Sequence, residues 1–168
     1  RDEPKRAILG LHGSMAYGMS RDTYAAVECT AIRTGENMAT LPHTYSNTVQ
    51  LRLLRNMLLR ESGDDLLIGF AVPRPWLAPG KRLAVRMAPT LFGPVSFSME
   101  TAADGSTIRF RFEPPARGMK GAVKTRLRHP ALKDIKAVQV DPQTDLTFQQ
   151  DVIELRRPSR SIDLVVRY

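Results

Sequence analysis

Between residues 20 and 43 the chain gathers Arg21, Asp22, Thr23, Tyr24, Glu28, Arg33, Glu36, Asn37 and His43. Carboxylates that orient or protonate hydroxyls, an aromatic ring, and guanidinium or amide donors are the side chains a carbohydrate cleft uses. The same residues also make an ordinary polar surface loop, with Ser20 or Asp22 capping a turn. Residue chemistry alone leaves these two readings level. Acid–base chemistry on a glycosidic bond needs two carboxyl groups at a defined separation, so no catalytic pair is assigned. Arg21, Asp22, Thr23, Tyr24, Glu28 and His43 stand as candidates for binding a substrate.

Other chemistries find less support. His12, His43 and His129 do not have the spacing of a helical metal pair, and with Cys29 as the one cysteine there is no Cys/His cluster. Neither a metal nor a cofactor is expected. The Gly-rich run 10–14 lies inside a helical pattern and follows no strand, which excludes a phosphate loop, and no nucleophile elbow or dinucleotide fingerprint occurs. Cys29 reads as a buried packing residue. His129, before Pro130, reads as a turn residue. Trp76, inside the Pro-rich run 73–80, reads as packing on a sheet rim, with a stacking platform for sugar as the alternative.

Two kinds of element must position these residues. Residues 4–19 have a helical start at Pro4 and apolar residues at Ile8, Leu11, Met15 and Met19. A second, stronger helix is expected over 43–61, with Val49, Leu51, Leu53, Leu54, Met57 and Leu58 on a wide apolar face and Gly63 as its C-cap. A face that wide wants neighbours on more than one side, so part of it is expected to be exposed or covered by another polypeptide. The span 20–42 between them shows no period and reads as a long irregular connection.

Near Asp64 the period changes from 3.6 to 2. Leu83, Val85 and Met87 alternate with polar or small residues, as do Val95, Phe97 and Met99, then Ile108, Phe110 and Phe112. Asp104-Gly105 between the last two runs is a hairpin signal. Further strands are expected near 66–72, 122–128, 135–140, 152–156 and 161–167. The whole reads as mainly β with N-terminal helices: a helical segment over 1–63, then an antiparallel β-sandwich of about eight strands over 64–168.

Charge divides the chain at the same place. Residues 1–73 hold eight basic and eight acidic side chains, whereas residues 74–168 hold 17 and nine, so the net +8 lies entirely in the second part. Arg117, Lys120, Lys124, Arg126, Arg128, Lys133 and Lys136 stand against only Asp134 in the stretch 117–136. Such a stripe is either a solvated strand face or a surface for a nucleic acid, an anionic polysaccharide or an acidic protein. No helix-turn-helix and no interleaving of aromatic with basic residues appears, so no nucleic-acid partner is expected. No apolar run is long enough to span a membrane, and no membrane partner is expected. The opening Arg1-Asp2-Glu3-Pro4 shows no signal-peptide pattern. The chain reads as a piece of something longer, and its compartment stays open, the periplasm and the exterior included.

Three stretches carry a resemblance. Leu11-His-Gly-Ser-Met-Ala-Tyr-Gly-Met-Ser-Arg-Asp-Thr-Tyr, followed by Val27-Glu-Cys-Thr, resembles a segment of large bacterial glycoside-hydrolase-like proteins of the six-hairpin class. The corresponding segment there reads Tyr-Gly-x-x-Ala-x-Gly-Met-Thr-Arg-Asp-Thr-Phe and then Gly-Glu-Gly, near the end of an (α/α)6 toroid. Leu53-Leu-Arg-Asn-Met-Leu-Leu-Arg-Glu looks like the final toroid helix. Pro73-Arg-Pro-Trp-Leu-Ala-Pro-Gly-Lys, Ala88-Pro-Thr-Leu-Phe-Gly-Pro-Val-Ser-Phe and Leu127-Arg-His-Pro look like the β-sandwich that follows it. The resemblance implies a C-terminal portion of a protein acting on poly- or oligosaccharide, with the sandwich packed on the toroid. It places Arg21 to Tyr24 and Glu28 at the open end of the cleft. One helical hairpin does not close a toroid of six, so it also implies a partner, either the rest of the toroid or another copy of the chain, and a catalytic unit incomplete in this chain alone. The alternative is a non-catalytic carbohydrate-binding or structural sandwich module.

Overall fold

A computed structural model describes residues 3–38 and 41–168. Two helices come first. α1 spans Pro4–Tyr17, with proline in its first turn, and α2 spans Thr44–Leu58. They pack through Leu11 and Met57 together with Ala71, flanked by Ala7, Ile8 and Leu53. α1 stops at Gly18, whose N–H donates to the Ser14 carbonyl at 2.8 Å. A Cβ at Gly18 would come within 2.7 Å of that same oxygen, so only glycine closes the turn this tightly. Met15, expected on the packed stripe, is exposed.

The connection between the helices is not irregular throughout. It carries a small antiparallel hairpin, β1 (Cys29–Ala31) with β2 (Glu36–Met38), turned at Gly35 with φ of 72°. Three-residue strands are too short to show a period, which is why the sequence hides them. Cys29 is exposed on this hairpin rather than buried, because a two-stranded ribbon standing off the helices has no interior.

Ten further strands form a two-layer sandwich. One sheet has the order β10-β11-β8-β4-β3, from Leu146–Gln149, Val152–Arg156, Ala122–Arg126, Asp65–Ile68 and Leu59–Ser62. The other has the order β5-β6-β7-β12-β9, from Arg82–Ala88, Val95–Thr101, Thr107–Glu113, Ile162–Arg167 and Ala137–Asp141. The core between them is continuous: Leu66, Ile68, Val123, Ile153 and Leu155 from the first sheet face Phe97, Met99, Phe110 and Leu164 from the second. The fold is therefore mainly β, two helices followed by a sandwich. Ile108, Phe110 and Phe112 are fully buried and Arg109 and Arg111 exposed, as the alternation requires.

Three details depart from the sequence reading. The second helix ends at Leu58, not at 61, because Leu59 turns into the sandwich core as the first residue of β3. Gly63, read as a helix cap, instead sits with φ of 61° in the two-residue β3–β4 turn. β4 also pairs with β8 in parallel, Leu66 opposite Val123, whereas every other pair is antiparallel. Between those two strands the chain builds three strands of the opposite sheet, and a crossover of that length permits the parallel return. Asp65 fixes the pair, accepting from Ala122 N–H at 2.8 Å and from Lys124 Nζ at 2.7 Å.

The basic stretch 117–136 is not one free face. Lys124 pairs with Asp65 and Glu154, Arg126 with Asp151, and Arg128 is buried and donates to the Phe70 carbonyl at 3.0 Å. His129 is buried in a turn, its Nδ1 accepting from Ala131 N–H and its Nε2 against the Gly105 carbonyl. Trp76 is partly exposed on a short 3-10 helix over Arg74–Leu77, whose Leu77 is fully buried.

Candidate functional site

The connection 18–43 is held to α2 by a short ladder. Gln50 Nε2 donates to the Gly18 carbonyl at 3.2 Å, and Val27 N–H donates to the same oxygen at 3.0 Å. Ala26 is completely buried; its N–H donates to Asn47 Oδ1 at 3.0 Å and its carbonyl accepts from His43 N–H at 3.0 Å. Gln50 and Asn47 thus lay the loop across the N-terminal half of α2. Within it, Ser20 closes a tight turn: its Oγ meets Thr23 Oγ1 at 2.6 Å and accepts from Ala25 N–H at 3.2 Å. Tyr24 occupies this turn with φ of 54°, a left-handed conformation unusual for a bulky residue, and its ring is exposed.

Turn and hairpin enclose an open cleft of about 360 Å³. Arg21 and Asp22 line it from the turn, Thr30, Thr34 and Asn37 from the hairpin, and Tyr17 from the end of α1. The Arg21 guanidinium would lie 3.7 Å from a Cβ at Gly35, so the hairpin turn and this side chain close one corner together. Asp22 Oδ1 accepts from Thr23 N–H at 2.9 Å, which fixes its carboxylate at the turn. Thr30 Oγ1 donates to the Tyr17 carbonyl, tying the hairpin to α1. The lining offers one cation, one carboxylate, an amide and two threonine hydroxyls that donate to the Tyr17 carbonyl and to Glu36 Oε2 and so remain as acceptors, a set suited to a polyhydroxylated ligand.

The six candidates separate into four groups. Arg21 and Asp22 are brought together in the cleft. Thr23 and Tyr24 belong to the turn beside it, the hydroxyl of Thr23 being engaged with Ser20. Glu28 is exposed just before β1 and is not among the cleft-lining residues. His43 has a different role: it is the N-cap of α2, its Nδ1 accepting from Ser46 N–H at 3.4 Å and lying 2.8 Å from Ser46 Oγ. Thr30 and Thr34 line the cleft without having been singled out in the sequence, because only the unrecognised hairpin turns them toward Arg21.

Among the described residues no three His, Cys, Asp or Glu side chains converge to hold a metal, and no helix is long and apolar enough to cross a membrane. No protein-family model and no curated protein matches the chain.

Proposed function

We propose that this chain is the C-terminal portion of a glycoside-hydrolase-like protein acting on a poly- or oligosaccharide, with its sandwich packing on and stabilising a helical catalytic unit. The observation that carries the reading is the polar cleft in which Arg21 and Asp22 face Thr30, Thr34 and Asn37. A sugar is recognised by such alternating donors and acceptors. A second feature supports the need for further polypeptide. Leu9, Tyr17, Tyr45, Val49 and Leu51 are exposed on α1 and α2, and further polypeptide seated there would bury them. The remainder of a toroid, or another copy of the chain, would cover it.

A non-catalytic carbohydrate-binding module is the second reading, favoured by one observation: among the described residues Asp22 is the single carboxylate lining the cleft. Hydrolysis would need an opposing carboxyl from outside these residues. In the full-length protein, Arg21→Gln or Asp22→Asn, both in the cleft lining, should lower turnover on an oligosaccharide by about tenfold to a thousandfold with the melting temperature nearly unchanged. Loss of affinity without any turnover in the parent protein would select the binding module. Unfolding with no separate effect on turnover would make these residues structural anchors and end the site assignment.

A further inference from the structure

The sandwich carries a second cleft, of about 300 Å³, on the outer face of β5, β6 and β7, away from the helices' loop. Its floor is unusually low for an outer sheet face. Ala84, Ser96 and Ser98 occupy central positions, with Ser98 between Ala84 and Arg111 in the register. Arg82 and Arg86 rise from β5 on one side, and Arg111 and Glu113 from β7 on the other. Four residues of extended strand set Arg82 and Arg86 roughly 13 Å apart.

A bulge shapes the β5 wall. Val85 pairs with Phe97 and Ala88 with Val95, so Arg86 and Met87 together oppose Ser96. Ser96 Oγ accepts the Met87 N–H at 3.2 Å, and Met87 is held at φ of 50° with its side chain 68% exposed. Left-handed backbone at a methionine costs on the order of 1–2 kcal/mol, and bulges of this kind re-aim neighbouring side chains. Arg86 keeps the outward alternation of Arg82 and Ala84 up to this bulge and makes no ion pair with a carboxylate among the described residues. Arg111 commits only its Nε, to Asp163 at 2.8 Å, which leaves its terminal nitrogens to the cleft. Arg82 forms an exposed ion pair with Glu100 at 3.7 Å through its Nε, too long for a hydrogen bond, which leaves its terminal nitrogens open to a ligand.

The geometry points to a binding site for the carboxylate or sulfate groups of an acidic polysaccharide on this outer face. Planar guanidinium groups on both walls match such anions with paired N–H donors. The serine hydroxyls and the Glu113 carboxylate suit the sugar hydroxyls between the charges. A nucleic acid fits less well: the one ring beneath the cleft, Phe97, is buried in the core, so nothing is offered for a base to stack on. The choice of a polysaccharide over other polyanions rests on the carbohydrate reading above, whereas the anion site rests only on the arginines and the cleft.

The test is titration calorimetry of the 168-residue chain with a heparin-derived oligosaccharide, an oligogalacturonate, a neutral oligosaccharide and a single-stranded oligonucleotide. At least one acidic sugar should bind, more weakly as salt rises, and the two acidic probes separate sulfate from carboxylate. Arg82→Gln/Arg86→Gln should weaken that binding by at least about tenfold. Arg117→Gln/Lys120→Gln removes the same charge elsewhere and should change it by less than about twofold. Equal losses in the two variants, or no loss in the first, would overturn the site, as would binding confined to the neutral sugar. Tighter binding of the oligonucleotide, lost in Arg82→Gln/Arg86→Gln, would keep the anion cleft and overturn the polysaccharide. None of these outcomes depends on the Arg21 and Asp22 experiment, so the two readings fail separately.

Discussion

Arg55, in the last turn of α2, grips Glu61 on β3 through both carboxylate oxygens, at 3.1 and 2.7 Å. The pair reaches further into the second sheet's β5–β6 loop: Arg55 donates to the Pro89 carbonyl at 2.7 Å, and Glu61 accepts from Leu91 N–H at 3.2 Å. One carboxylate therefore joins the helical layer to both sheets.

The hydrogen bond from Arg55 holds the Glu61 carboxyl below its ordinary range, against the opposing cost of its burial. A lowered folded-state pKa contributes stability above the unfolded value of about 4.3, and that stability is lost as pH falls through the folded value. Glu61→Gln should cost about 1–3 kcal/mol at pH 7. The gap between variant and parent should narrow in melts taken at a pH well below that unfolded value. A gap of the same size at both pH values would show that the charge is not what matters.

Gly121 enters β8 against the β3–β4 turn, where a Cβ would lie 2.2 Å from the Asp64 carbonyl oxygen and 2.6 Å from Asp65 Oδ1. Gly121→Ala should destabilise the chain by at least about 2 kcal/mol in urea, since the parallel pair must part to admit a methyl group. Gly10→Ala, inside α1 with nothing within 4 Å, should instead stabilise by up to about 1 kcal/mol. Matching effects at the two sites would contradict the close approach.

His43 separates capping from ligand binding. His43→Ala should lose about 1 kcal/mol of stability, and His43→Asn, which keeps an acceptor for Ser46 N–H, should recover most of it. Oligosaccharide affinity should be the same in both variants. If affinity drops in His43→Asn at unchanged stability, the ring contacts the ligand after all.

The sandwich was largely legible because burial on one face imposes a period of two, and Ile108, Phe110 and Phe112 show it undiluted. What escaped lies where a local signal is masked or too short. Leu58-Leu59 continues a helical pattern while the second leucine belongs to a different core, so the change from α2 to β3 is silent in composition. β10 carries its alternation in Leu146 and Phe148, but four residues at a sheet edge give it little weight. Parallel pairing of β4 with β8 depends on residues 57 and more positions apart, such as Leu66 and Val123, and no local pattern encodes it. Of the candidate site, Arg21 and Asp22 were visible as chemistry. Their partners Thr30 and Thr34 were not, because a hairpin turned at Gly35 puts them there.

The strand order has a temporal consequence. β12, the last of the described strands, lies between β7 and β9 inside its sheet, and Tyr168 just beyond it donates its hydroxyl to the Leu127 carbonyl at 2.7 Å. During synthesis β9 has no partner in its own sheet until residues 162–167 have been made, and Phe110 and Phe112 lack the strand that pairs beside them. The core must therefore close late, by pairing elements far apart along the chain, which is the slow kind of folding. Until then the nascent chain carries open strand edges and a hydrophobic core that lacks Ile162, Leu164 and Val166, the state in which chaperones find their clients and aggregation begins.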